Sequence, residues 1–228
     1  MSFAVPLAAC MFMGGRVSWN RPEPSDSETR NRYTSNAYTS NTVFCGVKAL
    51  GLSLVAHYLC VRHWMLGGDT DVWFETTHNV CTRLGWNFFL WEVLDLAYIV
   101  YFRVSTPDMV FHHLFHILVT PILMTFATPT WYYFGVRLIL QETSGIPLAL
   151  AAFFRSRAPA IAKSAFFLFA LAFFAYRIVN TGYLLLFERQ DEIVLRIALL
   201  PSYILQLWWF EKIVRRVARA FGERTKRV

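Results

Sequence analysis

The chain carries little charge for its length. Charged residues make up 16% of its 228 positions, well under the quarter usual for a soluble globular protein. Its four cysteines, Cys10, Cys45, Cys60 and Cys81, include no C-x-x-C pair. That spacing excludes a zinc ribbon or a dithiol redox motif and reads as isolated reduced thiols. No N-x-S/T acceptor occurs, so nothing marks an oxidised, glycosylated outer domain. The apolar stretch from Met1 to Gly15 has no basic residue ahead of it, which argues against a signal peptide and for an interfacial or flexible N-terminus. What the chain does have is apolar bulk: 56% hydrophobic and 17% aromatic residues, with a mean hydropathy of +0.38. A soluble fold of this size has too little interior to hide that much, so the membrane class leads.

The apolar bulk is segmented. Arg16 to Asn41 is polar, rich in Ser and Thr and holds two prolines, so residues 1–42 read as a flexible leader. Six apolar segments follow: Val43–Met65, Gly85–Phe102, Val110–Ala127, Trp131–Phe154, Ile161–Phe187 and Ile193–Ile213. Each is close to the ~20 residues that span a hydrocarbon core. Only a helix satisfies its own backbone over such a length in lipid. The expected architecture is therefore all-α, a polytopic membrane bundle of about six helices over 43–213, with a basic tail over 214–228. Basic residues gather on alternate connections: Arg16 to Arg32, Arg103, Arg155 to Lys163, and Lys212 to Arg227. The opposite connections hold mostly Asp and Glu, which places both termini in the cytosol. The juxtamembrane tail suits anionic lipid headgroups, and no nucleic-acid partner is expected.

Ionisable groups inside such helices cost a few kcal/mol each and so mark a site or an internal pairing. They are Glu92 and Asp95 in the second segment, and His112, His113 and His116 in the third. Arg137 and Glu142 lie in the fourth, Arg177 in the fifth and Arg196 in the sixth. The three histidines share one stripe about 100° wide, which must face other helices. Catalysis, metal ligation and a structural or headgroup-contacting role all stay open for them. In the fourth segment Pro147 and Gly145 predict a break in the helix. Glu142 and Ser144 need that break, because a straight helix points them about 160° apart. Arg137, Gln141 and Ser144 share the other face. Arg177 is followed at i+3 and i+4 by Asn180 and Thr181. It requires a buried partner, with Glu142 the first choice and Asp95 the second.

In order and spacing, "WEVLDLAYIV", the His112–His113 pair, "LILQETSGIP" and "FFAYRIV" resemble the TLC domain family. That family joins translocation-associated membrane proteins, ceramide synthases and a protein of neuronal ceroid lipofuscinosis. The resemblance covers roughly Thr42 to Ile213. Ceramide synthases carry a second His-Asp and a further Asp where this chain has Gln141-Glu142-Thr143-Ser144-Gly145. It is therefore more similar to the small TLC-domain-containing proteins. The resemblance implies an endoplasmic-reticulum protein of membrane lipid homeostasis that binds, senses or moves phospholipids or sphingolipids. Its cavity would open toward the cytosolic leaflet, lined by Asp95, His112, His113, Glu142, Ser144 and Arg177. All of these but Asp95 would meet the lipid headgroup. The alternative it implies is an acyltransferase with acyl-CoA as co-substrate. His113 would be the base, His112 a further candidate, and Glu142 or Asp95 would orient it. An ion or proton pathway is a third reading. Membrane lipids are the expected partners, no metal or cofactor is expected, and a homo-oligomer stays open.

Overall fold

The structure is a computed structural model that describes residues 27–102, 106–125, 128–186 and 193–225. Among these residues everything regular is helix, in six long rods. Rod α1 is Ser27–Met65, α2 is Thr70–Tyr101 and α3 is Pro107–Thr125. Rods α4 and α5 are Pro129–Phe154 and Pro159–Leu186, and α6 is Ile193–Thr225. Within the described residues, each of the six apolar segments falls on its own rod. Among the described residues four stretches are long and apolar enough to cross a membrane: Asn41–Met65 of α1, and the whole of α3, α4 and α5. The chain is an integral membrane protein by that length and apolarity. Rods α2 and α6 are long but more polar, with Glu92 and Asp95 in the first and a basic end on the second.

Helix α1 differs from the expectation at its start. Part of the segment read as leader, from Ser27 on, is helical; residues 1–26 lie outside the described residues, as do 226–228 of the tail. No proline follows Pro24 in this stretch, so a helix nucleated by the apolar part can propagate backwards through Arg30 and Arg32. Its other end stops at Gly67 and Gly68, at φ 73° and 79°, the left-handed conformation that glycine adopts without strain. Asp69 then caps α2, its carboxylate accepting from the backbone N–H groups of Asp71 and Val72 at 3.0 Å.

The expected break in α4 takes the form of a 3-10 stretch at Leu140–Ser144, followed by α-helix from Gly145. Pro147 has no N–H for the Thr143 carbonyl, so the ladder tightens just upstream. Rod α5 carries the opposite irregularity, a π-helical stretch at Phe174–Val179 with Arg177 inside it.

Helices α1 and α4 run antiparallel. Gly46 meets Ala149 at one end, and the His63 ring stacks on Tyr133 at 4.0 Å at the other. Small residues permit the close approach, as is usual between membrane helices. The inner faces of α1, α2 and α4 join Leu52, Ala56, Leu59, Trp73, Leu84, Phe88, Val136 and Ile139 in one core. Outward, α1 shows Val47, Leu50, Leu54, Tyr58 and Val61, an apolar stripe at helical spacing that suits lipid. Val194, Ile197, Leu200 and Ile204 make a similar stripe on α6.

Candidate functional site

Charged and polar side chains from five helices converge in the interior. Helix α1 brings Cys45 and Lys48, which are i, i+3 neighbours on one face. Lys48 Nζ lies 2.5 Å from Glu92 Oε1 and 3.6 Å from Glu142 Oε2. Helix α2 brings Glu92 and Asp95, also i, i+3. The His113 ring of α3 sits between them, with Nδ1 2.7 Å from Glu92 Oε2 and Nε2 3.5 Å from Asp95 Oδ2. The Cys45 thiol donates to Asp95 Oδ2 at 3.2 Å. On α5, Arg177 donates through Nε to Ser144 Oγ at 2.9 Å and through Nη2 to Glu142 Oε1 at 3.5 Å.

These groups are deeply buried: Glu92 is 1% exposed, Asp95 4%, Lys48 5% and Arg177 9%. A charge taken out of water that far needs an opposite charge and well-placed hydrogen bonds. The balance is close. Lys48 and Arg177 face three carboxylates, so the cluster is one negative charge in excess while His113 is neutral. A proton on each ring nitrogen makes His113 a double donor, facing Glu92 and Asp95, and brings the cluster to neutrality.

The 3-10 stretch explains how Glu142 and Ser144 come to share a partner. At about three residues per turn, positions two apart are separated by about 120° rather than 160°. Arg177 bridges that gap. Further along the same two helices, Gln141 Nε2 donates to Thr181 Oγ1 at 2.7 Å. Arg137 donates to Asn180 Oδ1 at 3.1 Å through Nε and 2.8 Å through Nη2. The two polar stripes read from the sequence therefore form one ladder between α4 and α5. Gln206 of α6 joins it, donating to Gln141 Oε1 at 2.7 Å.

The histidine stripe divides. His113 belongs to the ionic cluster. His112 packs on the Trp209 ring at 5.1 Å and on His116 at 4.5 Å, and His116 packs on Phe88 at 5.3 Å. Trp209 Nε1 in turn donates to Asp108 Oδ2 at 2.6 Å, tying α6 to the start of α3. Among the described residues no group of three or more His, Cys, Asp or Glu has the arrangement of a metal site.

A narrow, mostly apolar chamber of about 50 Å³ lies beside the cluster, walled by α2 to α6. Phe88, Phe115, Leu123, Val136 and Leu199 make much of its wall, and Glu142, His116 and Gln141 give it polar points. Of the six residues expected to line a cavity, Glu142 does so. Asp95, His112, His113, Ser144 and Arg177 are not among its lining residues; Asp95, His113, Ser144 and Arg177 bind one another or Glu142 instead, behind the wall.

Sequence reading missed Lys48 and placed Cys45 among isolated thiols. The signal for Lys48 was there, since a lysine inside "FCGVKALGL" breaks the same rule as Arg177. It lies near the start of its apolar segment, where a lysine ordinarily extends to the interface, and so carries less weight than a mid-span arginine. Glu92 stood out as ionisable but not as the residue joining Lys48 to His113.

Fold and site together define a helical integral membrane protein with an ionic cluster held inside the bundle. Comparison with protein-family models, with curated proteins and with solved structures finds no match to the chain.

Proposed function

We propose that the chain is a TLC-type membrane protein of six spans with both termini in the cytosol, working in membrane lipid homeostasis by holding a lipid within the bundle. The observation that carries this reading is the apolar chamber that meets Glu142, a member of the five-helix ionic cluster. The Phe- and Leu-rich wall suits an alkyl chain, although at about 50 Å³ the chamber must widen toward the roughly 300 Å³ of a ligand pocket to take one. A polar headgroup suits the end where Glu142, His116 and Gln141 stand. The apolar outer stripe of α6 supports counting it as a span, and so do the basic ends of α1 and α6 on one side. The endoplasmic reticulum rests on the family resemblance and the basic cytosolic ends.

Acyl transfer is less well supported by the site. A general base must present a nitrogen to the proton it removes, and both nitrogens of His113 face carboxylates. A proton pathway is less well supported as well, because the cluster links helices sideways.

The test uses Gly135. It lines the chamber, and a Cβ built on it meets nothing within 4 Å. Gly135→Ala therefore narrows the chamber by one methyl without a clash and removes a helix-weakening glycine. Wild-type protein purified in mild detergent is expected to carry a defined lipid in native mass spectrometry, and Gly135→Ala to hold less of it while melting at least as high. The same lipid retained at the same occupancy by the narrowed variant would overturn the reading.

A further inference from the structure

The polar side chains on the chamber wall differ in how far the protein itself occupies them. Gln141 is engaged at both ends of its amide: Nε2 donates to Thr181 Oγ1 and Oε1 accepts from Gln206, each at 2.7 Å. His116 and Thr120 also line the chamber, and as i, i+4 neighbours they share one face of α3. The His116 ring packs on Phe88, Phe115 and His112. Among the described residues neither its nitrogens nor the Thr120 hydroxyl make a hydrogen bond. Enclosed polar groups without a partner are unfavourable, so the two mark a place for a ligand group that can bond to them.

Charge and depth restrict what that group can be. Glu142 lines the chamber, and among its described lining residues there is no lysine or arginine. Lys48 and Arg177 stand behind the wall, 3.6 and 3.5 Å from the Glu142 oxygens. They answer the carboxylate's charge from the far side, so a ligand need bring no cation. A phosphate in the chamber would face Glu142 with no cation beside it. His116 and Glu142 also stand near the middle of their spans, Pro107–Thr125 and Pro129–Phe154, where an uncompensated charge is most costly. A hydroxyl meets every condition. It is uncharged, it can donate to the Glu142 carboxylate, and it can accept from an imidazole N–H of His116 or from Thr120. From these groups the wall continues through Leu123 and Met124 of α3 and Val136 and Trp131 of α4, toward the connection between those helices. In so narrow a chamber a single chain calls for less widening than two chains or a fused ring system.

We propose that the chamber's ligand is an uncharged single-chain lipid with a hydroxyl headgroup, of the monoacylglycerol or long-chain alcohol class. Its hydroxyl lies among Glu142, His116 and Thr120, and its chain runs toward the connection between α3 and α4. This rests on the chamber being a lipid site, as read above, and adds which headgroup it selects.

The experiment offers full-length protein in mild detergent two lipids of the same chain, monooleoylglycerol and its phosphate, oleoyl lysophosphatidic acid. Native mass spectrometry reads the fraction bound. The wild type is expected to hold one monooleoylglycerol at least tenfold more tightly than the phosphate. His116→Phe keeps a ring against Phe88 and removes the nitrogens; it should bind roughly tenfold less well, the effect of one hydrogen bond. Thr120→Val keeps the shape of the side chain, should lose several-fold, and decides the matter if His116→Phe does not fold. Arg215→Gln removes an exposed charge of α6 and should change nothing. Equal binding of monooleoylglycerol by wild type, His116→Phe and Thr120→Val overturns the proposal. Binding of the phosphate as tight as that of monooleoylglycerol overturns it too, and leaves the chamber standing as a lipid site of another headgroup. Wild-type protein that binds neither and carries no co-purified lipid overturns both readings, and the chamber then holds water.

Discussion

Lys48→Met is expected to destabilise the protein by about 3–5 kcal/mol, the usual result of removing one member of a buried ion pair. Methionine keeps the length and apolar character of the stem, so packing changes little. What changes is charge: Glu92 is left 1% exposed with His113 as its remaining partner, and Glu142 keeps Arg177 alone. In mild detergent this should appear as a melting point many degrees below wild type, read from tryptophan fluorescence. The double variant Lys48→Met/Glu92→Gln removes both charges and is expected to recover most of the loss, because a neutral amide carries a much smaller desolvation penalty. A Lys48→Met protein that melts with the wild type would mean that the lysine does not sit between these carboxylates, and the five-helix cluster would fall with it.

Gly46→Val should be comparably severe for a steric reason. A Cβ at Gly46 comes 2.1 Å from the Ala149 Cβ, far inside contact distance, and both atoms are fixed to helix backbones. Helices α1 and α4 must then move apart, at about 3 kcal/mol or more, and the cluster they hold opens with them. Ala149→Gly in the same chain removes the opposing methyl and leaves the next contact, to the Ala149 Cα, at 3.7 Å. Stability should largely return. Gly51→Val is the matched control, since its Cβ meets nothing within 4 Å, and it should stay within about 0.5 kcal/mol of wild type. If Gly46→Val and Gly51→Val melt alike, the close crossing of α1 and α4 is wrong.

Much of this architecture could be read beforehand, and the reasons differ from element to element. The rods were legible because lipid demands long apolar runs, and each run found its own helix. The break near Gly145 and Pro147 was legible because proline has no N–H to give. The pairing of Arg177 with Glu142 followed from the need of a buried cation for an acid. The polar faces of Arg137, Gln141 and Ser144 and of Arg177, Asn180 and Thr181 were legible each on its own helix, but that they meet as a ladder between α4 and α5 was not. Other features were not legible. A stripe 100° wide spans more than one neighbouring helix, so periodicity could not say that His113 meets Glu92 and Asp95 while His112 meets Trp209. The π-helical stretch at Phe174–Val179 leaves no mark in "FFAYRIV". Helical extension upstream of Val43 depends on propagation from the apolar part, which the Ser- and Thr-rich composition conceals.

The ionic cluster also implies an order of assembly. Its charges arrive one helix at a time as the chain is made. After α1 and α2, Lys48 faces two carboxylates, Glu92 and Asp95. With α3 comes His113, which lies against both and in its protonated form closes the account of the first three helices at zero. Helix α4 then brings Glu142, a new unpaired acid, and α5 answers it with Arg177. The polar ladder from Arg137–Asn180 to Ser144–Arg177 draws the same two helices together. The bundle thus divides by charge into a first unit of three helices and a second of two, each able to neutralise itself. The contact between Lys48 and Glu142 joins them, beside the Gly46–Ala149 crossing. A nascent chain halted after α2 or after α4 is left with an excess acid inside the membrane. With a proton on each ring nitrogen of His113, one halted after α3 or after α5 is not.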